Sequence, residues 1–269
     1  MTAQTSQRSV LISGAGSGIG RATALTFARR GWLVGAFDID PGALESLTAE
    51  VEARGTGHVV TGVLDVREAG QWEAALETFA AASGGRLDVL VNNAGILQSG
   101  RFAEIGLAAQ QRTVEVNVIG VLNGCHTAYP LLRATPGSHV VNLCSASAIY
   151  GQPDLATYSA TKFAVRGLSE ALDLEWEKEG ISVTAIWPLF VNTAMVDGMD
   201  VGSQRKLGVN LVAEDVADVI LEAVTPPSAR VHLPHRVHRA VGTQAKALLA
   251  SSAVGPAWLN RLVNRRLAN

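Results

Sequence analysis

Three side chains in the segment Asn142–Lys162, NLCSASAIYGQPDLATYSATK, could together move a proton at an oxygen atom. Tyr158 and Lys162 stand four residues apart in a stretch with helical periodicity, so they share one helix face a turn apart. An ammonium beside a phenol favours the phenolate, and Lys162 is therefore expected to pull Tyr158 below its usual pKa of about 10. A phenol tuned in that way can exchange a proton with an alcohol or carbonyl oxygen. Ser145, thirteen residues before Tyr158 and just past the apolar strand HVVNL, could hold the same oxygen. By itself a Tyr-x-x-x-Lys pair is ordinary helix decoration. The elements around it must decide what it does.

The first of those elements is at the start of the chain. An apolar strand, Val10–Ser13, runs directly into Gly14-Ala15-Gly16-Ser17-Gly18-Ile19-Gly20 and then into a helical pattern closed by Gly31. A glycine-rich turn between a strand and a helix N-terminus suits a pyrophosphate, because backbone amides approach unobstructed and the helix dipole favours the anion. The next strand, Trp32–Phe37, ends in Asp38, eighteen residues past the last glycine. A carboxylate there can accept both ribose hydroxyls and repels a 2′-phosphate, which predicts NAD in preference to NADP. Neither Ser17 nor Ile39 is basic, so nothing obvious nearby would partner a 2′-phosphate.

Farther along, a helix is expected over Pro41–Arg54, a strand over His58–Leu64 ending in Asp65-Val66, and a helix over Glu68–Ala82. A strand over Leu87–Val91 leads into Asn92-Asn93-Ala94-Gly95, small and amide residues that suit a crevice crossed by a cofactor. The run Phe102–Leu132 reads as one long helix with Asn117 inside it, where an asparagine needs a reason. Ile181–Trp187 is a strand stopped by Pro188, Ala213–Val224 a helix, and Arg230–Leu233 a last strand. This alternation without a composition break predicts an α/β fold, a parallel sheet with helices on both faces. The organisation expected is one domain over residues 1–235, a lid over about 194–212, and a basic helical extension over 236–269.

Composition narrows the function classes. The 269 residues are 48% hydrophobic and 17% charged, with net charge −2, so no polyanion-binding signature covers the whole molecule. The polar start MTAQTSQRS has no apolar core of a signal peptide, and no uncharged run is long enough to span a membrane. Cys125 and Cys144 lie in apolar stretches and read as free buried thiols, which predicts a soluble cytoplasmic protein. Pro226–Asn269 holds seven Arg or Lys and no acid, leaving 15 basic against 24 acidic residues elsewhere. That tail is read as a solvated helical extension, with two short helices over Ala245–Leu262 broken at Gly255-Pro256, and not as a nucleic-acid or membrane anchor. His232, His235 and His238 are interrupted by Pro234 and have no acid or cysteine close by, so no metal site is expected.

Taken together, SGAGSGIG, LDV at 64–66, NNAG at 92–95, Asn117, Ser145, Tyr158-x-x-x-Lys162 and Pro188…Thr193 resemble the short-chain dehydrogenase/reductase family, over roughly residues 8–235. The resemblance implies a Rossmann-like, doubly wound sheet of about seven parallel strands. It implies hydride transfer between a nicotinamide and an alcohol or carbonyl carbon. In that reading Tyr158 is the acid/base, Lys162 lowers its pKa and holds the nicotinamide ribose, and Ser145 orients the substrate oxygen. Asn117 bends its helix to hold a water beside Lys162. The implied cofactor seat comprises Gly14, Ser17, Gly18, Ile19, Gly20, Asp38, Asp65, Val66, Asn93, Ala94, Gly95, Pro188, Val191 and Thr193, with Tyr158 and Lys162. Asp65 and Val66 meet the adenine, and Pro188 to Thr193 the nicotinamide amide.

Two residues depart from the family pattern. Ser13 replaces a threonine with another hydroxyl, and Leu189 stands where a glycine usually follows the proline. A leucine there narrows or reshapes the substrate side. The expected substrate-side residues, Ala146, Ile149, Leu189, Phe190, Met195 and Met199, are apolar and favour a hydrophobic secondary alcohol or its ketone. The alternatives are an NADPH-dependent carbonyl reductase of the same fold and a non-catalytic dinucleotide-binding sensor or scaffold. The stripe Ala156, Ala160, Phe163, Ala164, Gly167, Leu168, Ala171 admits one-sided burial within the monomer, but similar stripes in the family make subunit interfaces, so a homodimer or homotetramer is expected.

Overall fold

The computed structural model describes residues 7–55, 57–196, 201–225 and 237–254. The chain alternates strand and helix from its first element: β1 (Ser9–Ser13), α1 (Gly18–Arg29), β2 (Leu33–Asp38), α2 (Pro41–Ala53), β3 (His58–Val63), α3 (Ala69–Ser83) and β4 (Val89–Asn92). Then follow α4 (Leu107–Val114), a π-helical turn (Glu115–Ile119), α5 (Gly120–Ala134), β5 (His139–Leu143), α6 (Ala156–Trp176) and β6 (Ser182–Trp187). Two short strands, β7 (Val191–Asn192) and β8 (Leu211–Val212), pair across α7 (Gly202–Leu207). The described chain closes with α8 (Ala213–Val224), β9 (His238–Ala240) and α9 (Gly242–Val254).

Seven strands form one parallel sheet in the order β3-β2-β1-β4-β5-β6-β9. β1, β4 and β5 are buried along their whole length, which is why they read as unbroken apolar runs. Successive side chains of a strand point to opposite faces, and two cores result. Leu11, Trp72, Phe79, Leu90 and Trp187 fill one, while Val10, Ile12, Phe27, Leu47 and Ile220 fill the other. Sequence order reverses between β1 and β4, so a crevice opens beyond their carboxyl ends, the usual ligand position in such sheets.

Local chemistry sets several boundaries. Asp40 accepts from the Ala43 amide (3.2 Å) and Pro41 opens α2, while Gly84 ends α3 in the left-handed region at φ 66°. The single helix expected over 102–132 is divided. Residues 101–106 form turns, held by Gln110 Nε2 donating to the carbonyls of Phe102 and Ile105, and the π turn around Asn117 separates α4 from α5. The expected strand 230–233 lies outside the described residues, and the sheet is completed by β9 at 238–240. Met199, His232, His235 and the tail beyond Val254 also lie outside them. Among the described residues no helix is long and apolar enough to cross a membrane. Both cysteines are free and buried.

Of the stripe on α6 only Leu168 packs against the core of the monomer. Ala156, Ala160, Phe163, Ala164, Gly167 and Ala171 are exposed, and the helix packs inward through Ser159, Thr161, Lys162, Val165 and Ser169. The buried face is the polar one because it carries the residues that meet the cleft and the β5 carbonyls.

Candidate active site

A cleft of about 320 Å³ runs along the carboxyl ends of the strands, touching Gly14 after β1, Asp38 on β2, Asp65 after β3, Asn93 after β4, Ser145 after β5 and Pro188 after β6. All but two of the expected site residues line it. The exceptions are Gly20 and Asn117, which stand behind the wall and shape it.

The glycine turn is fixed by close approach. A Cβ on Gly20 would lie 2.0 Å from the Gly14 carbonyl oxygen, and one on Gly14 (φ 66°) would lie 2.8 Å from Ala94 Cα. These two glycines therefore let α1 and the Asn93-Ala94 segment seat against the turn. Gly18, at φ 50°, faces the Thr193 methyl at 3.3 Å from its would-be Cβ. The strand ends are stitched together. Asn93 Nδ2 donates to the carbonyls of Ser13 (3.0 Å) and Gly14 (2.9 Å), and the amides of Asn93 and Ala94 donate to Ser13 Oγ. Ser13, with its hydroxyl, does this as well as a threonine could. Asp38 Oδ2 accepts from the Gly16 amide (2.8 Å) and Oδ1 from the Asp40 amide (3.1 Å). The carboxylate thus braces the turn at the cleft and keeps lone pairs free to accept from a ligand.

A nicotinamide dinucleotide fits these residues: a turn whose side chains are excluded by contact, an open helix N-terminus for an anion, and a carboxylate one strand away. Val66 is held through its carbonyl, which accepts from Trp72 Nε1 and Asn123 Nδ2, each at 3.1 Å. Sequence reasoning missed Arg67 and Arg112, which line the same cleft. Arg67 Nε donates to Asp65 Oδ1 (2.9 Å) and Oδ2 (3.1 Å), and this contact holds the Asp65 carboxyl below the usual range. A cation two residues from an aspartate at a strand end was the signal available.

At the other end, Ser145 Oγ accepts from the Ser147 amide (3.1 Å) and donates to Ser147 Oγ (3.2 Å). The short 3₁₀ turn Ala146–Ala148 that follows is tied to the Pro188 carbonyl through the Ala146 amide (2.9 Å). This turn corrects two expectations. Ala146 is buried and Ile149 packs into the core below the sheet, so neither lines the cleft, and Ser147 does instead. Leu189, Phe190 and Met195 do line it. Leu189, in the position of the family's glycine, packs both against the large core and with Phe190, Leu155 and Tyr158 in a small apolar cluster.

Lys162 is buried. Its Nζ donates to the Leu143 carbonyl (2.6 Å) and sits 5.5 Å from the centroid of the Tyr158 ring. Burial lowers the Lys162 pKa. Burial also pushes the Tyr158 phenol up to about 12, with the Ser145 hydroxyl pulling the other way. The lowering of Tyr158 expected from Lys162 does not show in the protein by itself, where desolvation outweighs the hydrogen bond from Ser145. The adjacent Cys144 thiol is raised to about 11 by the same burial.

Asn117 sits in the π turn between α4 and α5, and its side chain has a structural task. Its Oδ1 accepts from the Ile96 amide (2.8 Å), and its Nδ2 donates to the Ile96 carbonyl (2.9 Å) and to Thr161 Oγ1 (3.2 Å). Thr161 in turn donates to the Tyr158 carbonyl (2.7 Å). The side chain thus locks the loop after β4 to the helix carrying Tyr158 and Lys162, and is fully engaged in doing so. Among the described residues no group of His, Cys, Asp and Glu could hold a metal; His238 bonds Glu170 Oε1 (2.7 Å).

Comparison with known proteins follows the same lines. The family model described as short chain dehydrogenase matches residues 8–202. The probable oxidoreductase EphD of Mycobacterium tuberculosis is 39% identical over 188 residues, which are 70% of this chain and 31% of that longer protein. The chain thus spans about a third of that relative. A cyclohexanol dehydrogenase of Acinetobacter sp. strain SE19 is 31% identical over 208 residues, 77% of this chain and 82% of that one. Among solved structures, a short chain dehydrogenase/reductase from Burkholderia phymatum in complex with NAD superposes with a TM-score of 0.79, at 27% identity over 92% of each chain.

Proposed function

This chain belongs to the short-chain dehydrogenase family, and we propose that it interconverts a hydrophobic secondary alcohol and its ketone with NAD(H) as hydride carrier. The observation that carries the proposal is the convergence of Ser145, Tyr158 and Lys162 on one wall of a cleft whose other end is the glycine turn and Asp38. When bound, the nicotinamide supplies the hydride acceptor or donor. The residues of the chain supply position and the proton.

In the reductive direction Tyr158 Oη donates its proton to the carbonyl oxygen, and in the oxidative direction it takes the proton of the alcohol. Ser145 Oγ donates to that oxygen and holds it at the phenol. The Lys162 ammonium stabilises the phenolate that reduction leaves behind, opposing the burial that favours the phenol. Asn117 holds the helix in register with the loop at Ile96. Leu97, Leu155, Leu189, Phe190, Met195 and Val196 exclude water and favour an apolar substrate frame. The cyclohexanol dehydrogenase among the relatives is consistent with that class of substrate.

Asp38 supports NAD over NADP, since its carboxylate at the turn would face a 2′-phosphate, and Arg67 is already paired with Asp65. The outward stripe on α6, with Ile119 and Leu122 exposed nearby on the neighbouring elements, supports a homodimer or homotetramer. The test is spectrophotometric, following NADH formation from cyclohexanol and other secondary alcohols with NAD⁺ and NADP⁺. Activity that survives intact in Tyr158→Phe, or that is better with NADP⁺, overturns the corresponding part of the proposal.

A further inference from the structure

Five amide side chains are buried among the described residues: Asn92, Gln110, Asn117, Asn142 and Gln152. Four use their NH₂ groups within the protein. Asn92 donates to Asn142 Oδ1, Asn142 to Ser169 Oγ, Gln110 to two backbone carbonyls, and Asn117 to Ile96 and Thr161. Gln152 is different. It is 3% exposed and lines the cleft alongside Ser145 and Tyr158, and its Nε2 donates to nothing among the described residues.

The rest of Gln152 is pinned. Its backbone amide donates to Ser159 Oγ (3.1 Å), one residue past Tyr158 on α6. Its Oε1 accepts from Ser203 Oγ (3.2 Å) on α7, and Ser203 is itself buried. A primary amide carries two N–H donors, and Nε2 is not among the fully enclosed atoms that lack a partner, so its donors open onto the cleft, where a ligand oxygen can replace water. Leu155, Leu189, Phe190 and Val196 of the same cleft are apolar.

We propose that Gln152 is a specificity-determining residue whose Nε2 donates to a second oxygen on the substrate. The protein then selects alcohols and ketones that carry two oxygen functions on an otherwise apolar frame. The inference rests on the oxidoreductase reading above and names its substrate class. Ser145 and Tyr158 take the reacting oxygen, and Gln152 takes the other. A site built to hydrogen-bond a substrate oxygen discriminates strongly against the analogue without it, because the buried donor is then left unpaired.

The experiment compares cyclohexanol with the cyclohexanediols under NAD⁺, reading kcat/KM for each in the intact protein. The wild type is expected to favour at least one diol by about tenfold or more. Gln152→Leu should abolish that ratio. Gln152→Glu, which keeps an acceptor for Ser203 and puts a carboxylate oxygen in place of the NH₂ donor, should lower it at least as far at pH values where the carboxyl is ionised and so separates recognition from loss of the α7 contact. A wild type indifferent to the second oxygen, or a ratio unchanged in both variants, overturns the role of Gln152. If no probe gives NADH formation that depends on Tyr158, the oxidoreductase reading falls and this inference with it.

Discussion

The two ends of the cleft are built on different principles. At the glycine-turn end, short polar side chains hold the backbone: the amides of Gly16, Asn93 and Ala94 donate to Asp38 and Ser13 at 3.3 Å or less, and Gly14 and Gly20 leave no room for a Cβ. At the Leu189 end, apolar side chains do the work. Leu155, Phe190 and Val201 make a small core separate from the two large ones, roofed by short elements between β6 and α8. The first end accepts one ligand shape and tolerates almost no change. The second can be repacked without touching the sheet, which is where a family of one chemistry can vary its substrates.

Substitutions at the two ends of the cleft test this difference directly. Tyr158→Phe removes the group proposed to give the proton in reduction and take it in oxidation, and kcat is expected to fall about 10²- to 10⁴-fold with NAD⁺ binding retained, measured by turnover and by calorimetric titration. Gly20→Ala puts a methyl group against the Gly14 carbonyl and should cost about 1–3 kcal/mol of stability in a denaturant melt, with NAD⁺ binding lost in parallel. If Gly20→Ala proves harmless, the glycine-turn end is not the rigid one. Asp38→Asn removes the charge proposed to face the adenosine ribose, and the preference for NAD⁺ over NADP⁺ should shrink by about tenfold, equivalent to about 1.4 kcal/mol.

Leu189→Ala removes atoms instead of adding them, and its expected signature is a change of substrate. Bulkier secondary alcohols should gain relative to small ones by about tenfold, with little change in melting temperature. A large loss of stability would show that the Leu189 end is as inflexible as the other. The smallest effect is in pH. Burial raises Tyr158 to about 12, Cys144 to about 11 and Cys125 to about 12 in the folded chain. Groups whose folded pKa is raised stabilise the fold below their unfolded pKa and lose that contribution as pH rises through the folded value. Thermal stability should therefore fall between about pH 9 and about pH 12, and less steeply in Tyr158→Phe.

Legibility followed the same divide. Asp38, Asp65, Asn93 and the glycines could be read because each sits at the end of a recognisable strand, and strand ends meet in a parallel sheet wherever the connections run. Ala146 and Ile149 misled because a 3₁₀ turn of three residues rotates them into the core and Ser147 outward. Gln152 was passed over since nothing local marks a buried amide with an unpaired NH₂. Its partners come from α6 and α7, seven and fifty-one residues away. The helical stripe on α6 was visible as a pattern, but an apolar pattern does not say whether the core or a neighbour covers it.

The alternation of strands and helices, the parallel sheet and the glycine turn are written in the chain itself, through local periodicity, backbone freedom and spacing. The Ser145–Tyr158–Lys162 set could be picked out only through the resemblance of the whole motif series to one family. Only the tertiary structure decided how those groups are solvated and who their partners are. Lys162 reaches the Leu143 carbonyl, Asn117 is spent on Ile96 and Thr161, Tyr158 is raised by burial, and Gln152 alone among the five buried amides keeps its donors free. Desolvation and hydrogen-bond satisfaction depend on every group packed around an atom, and those groups arrive from distant parts of the chain.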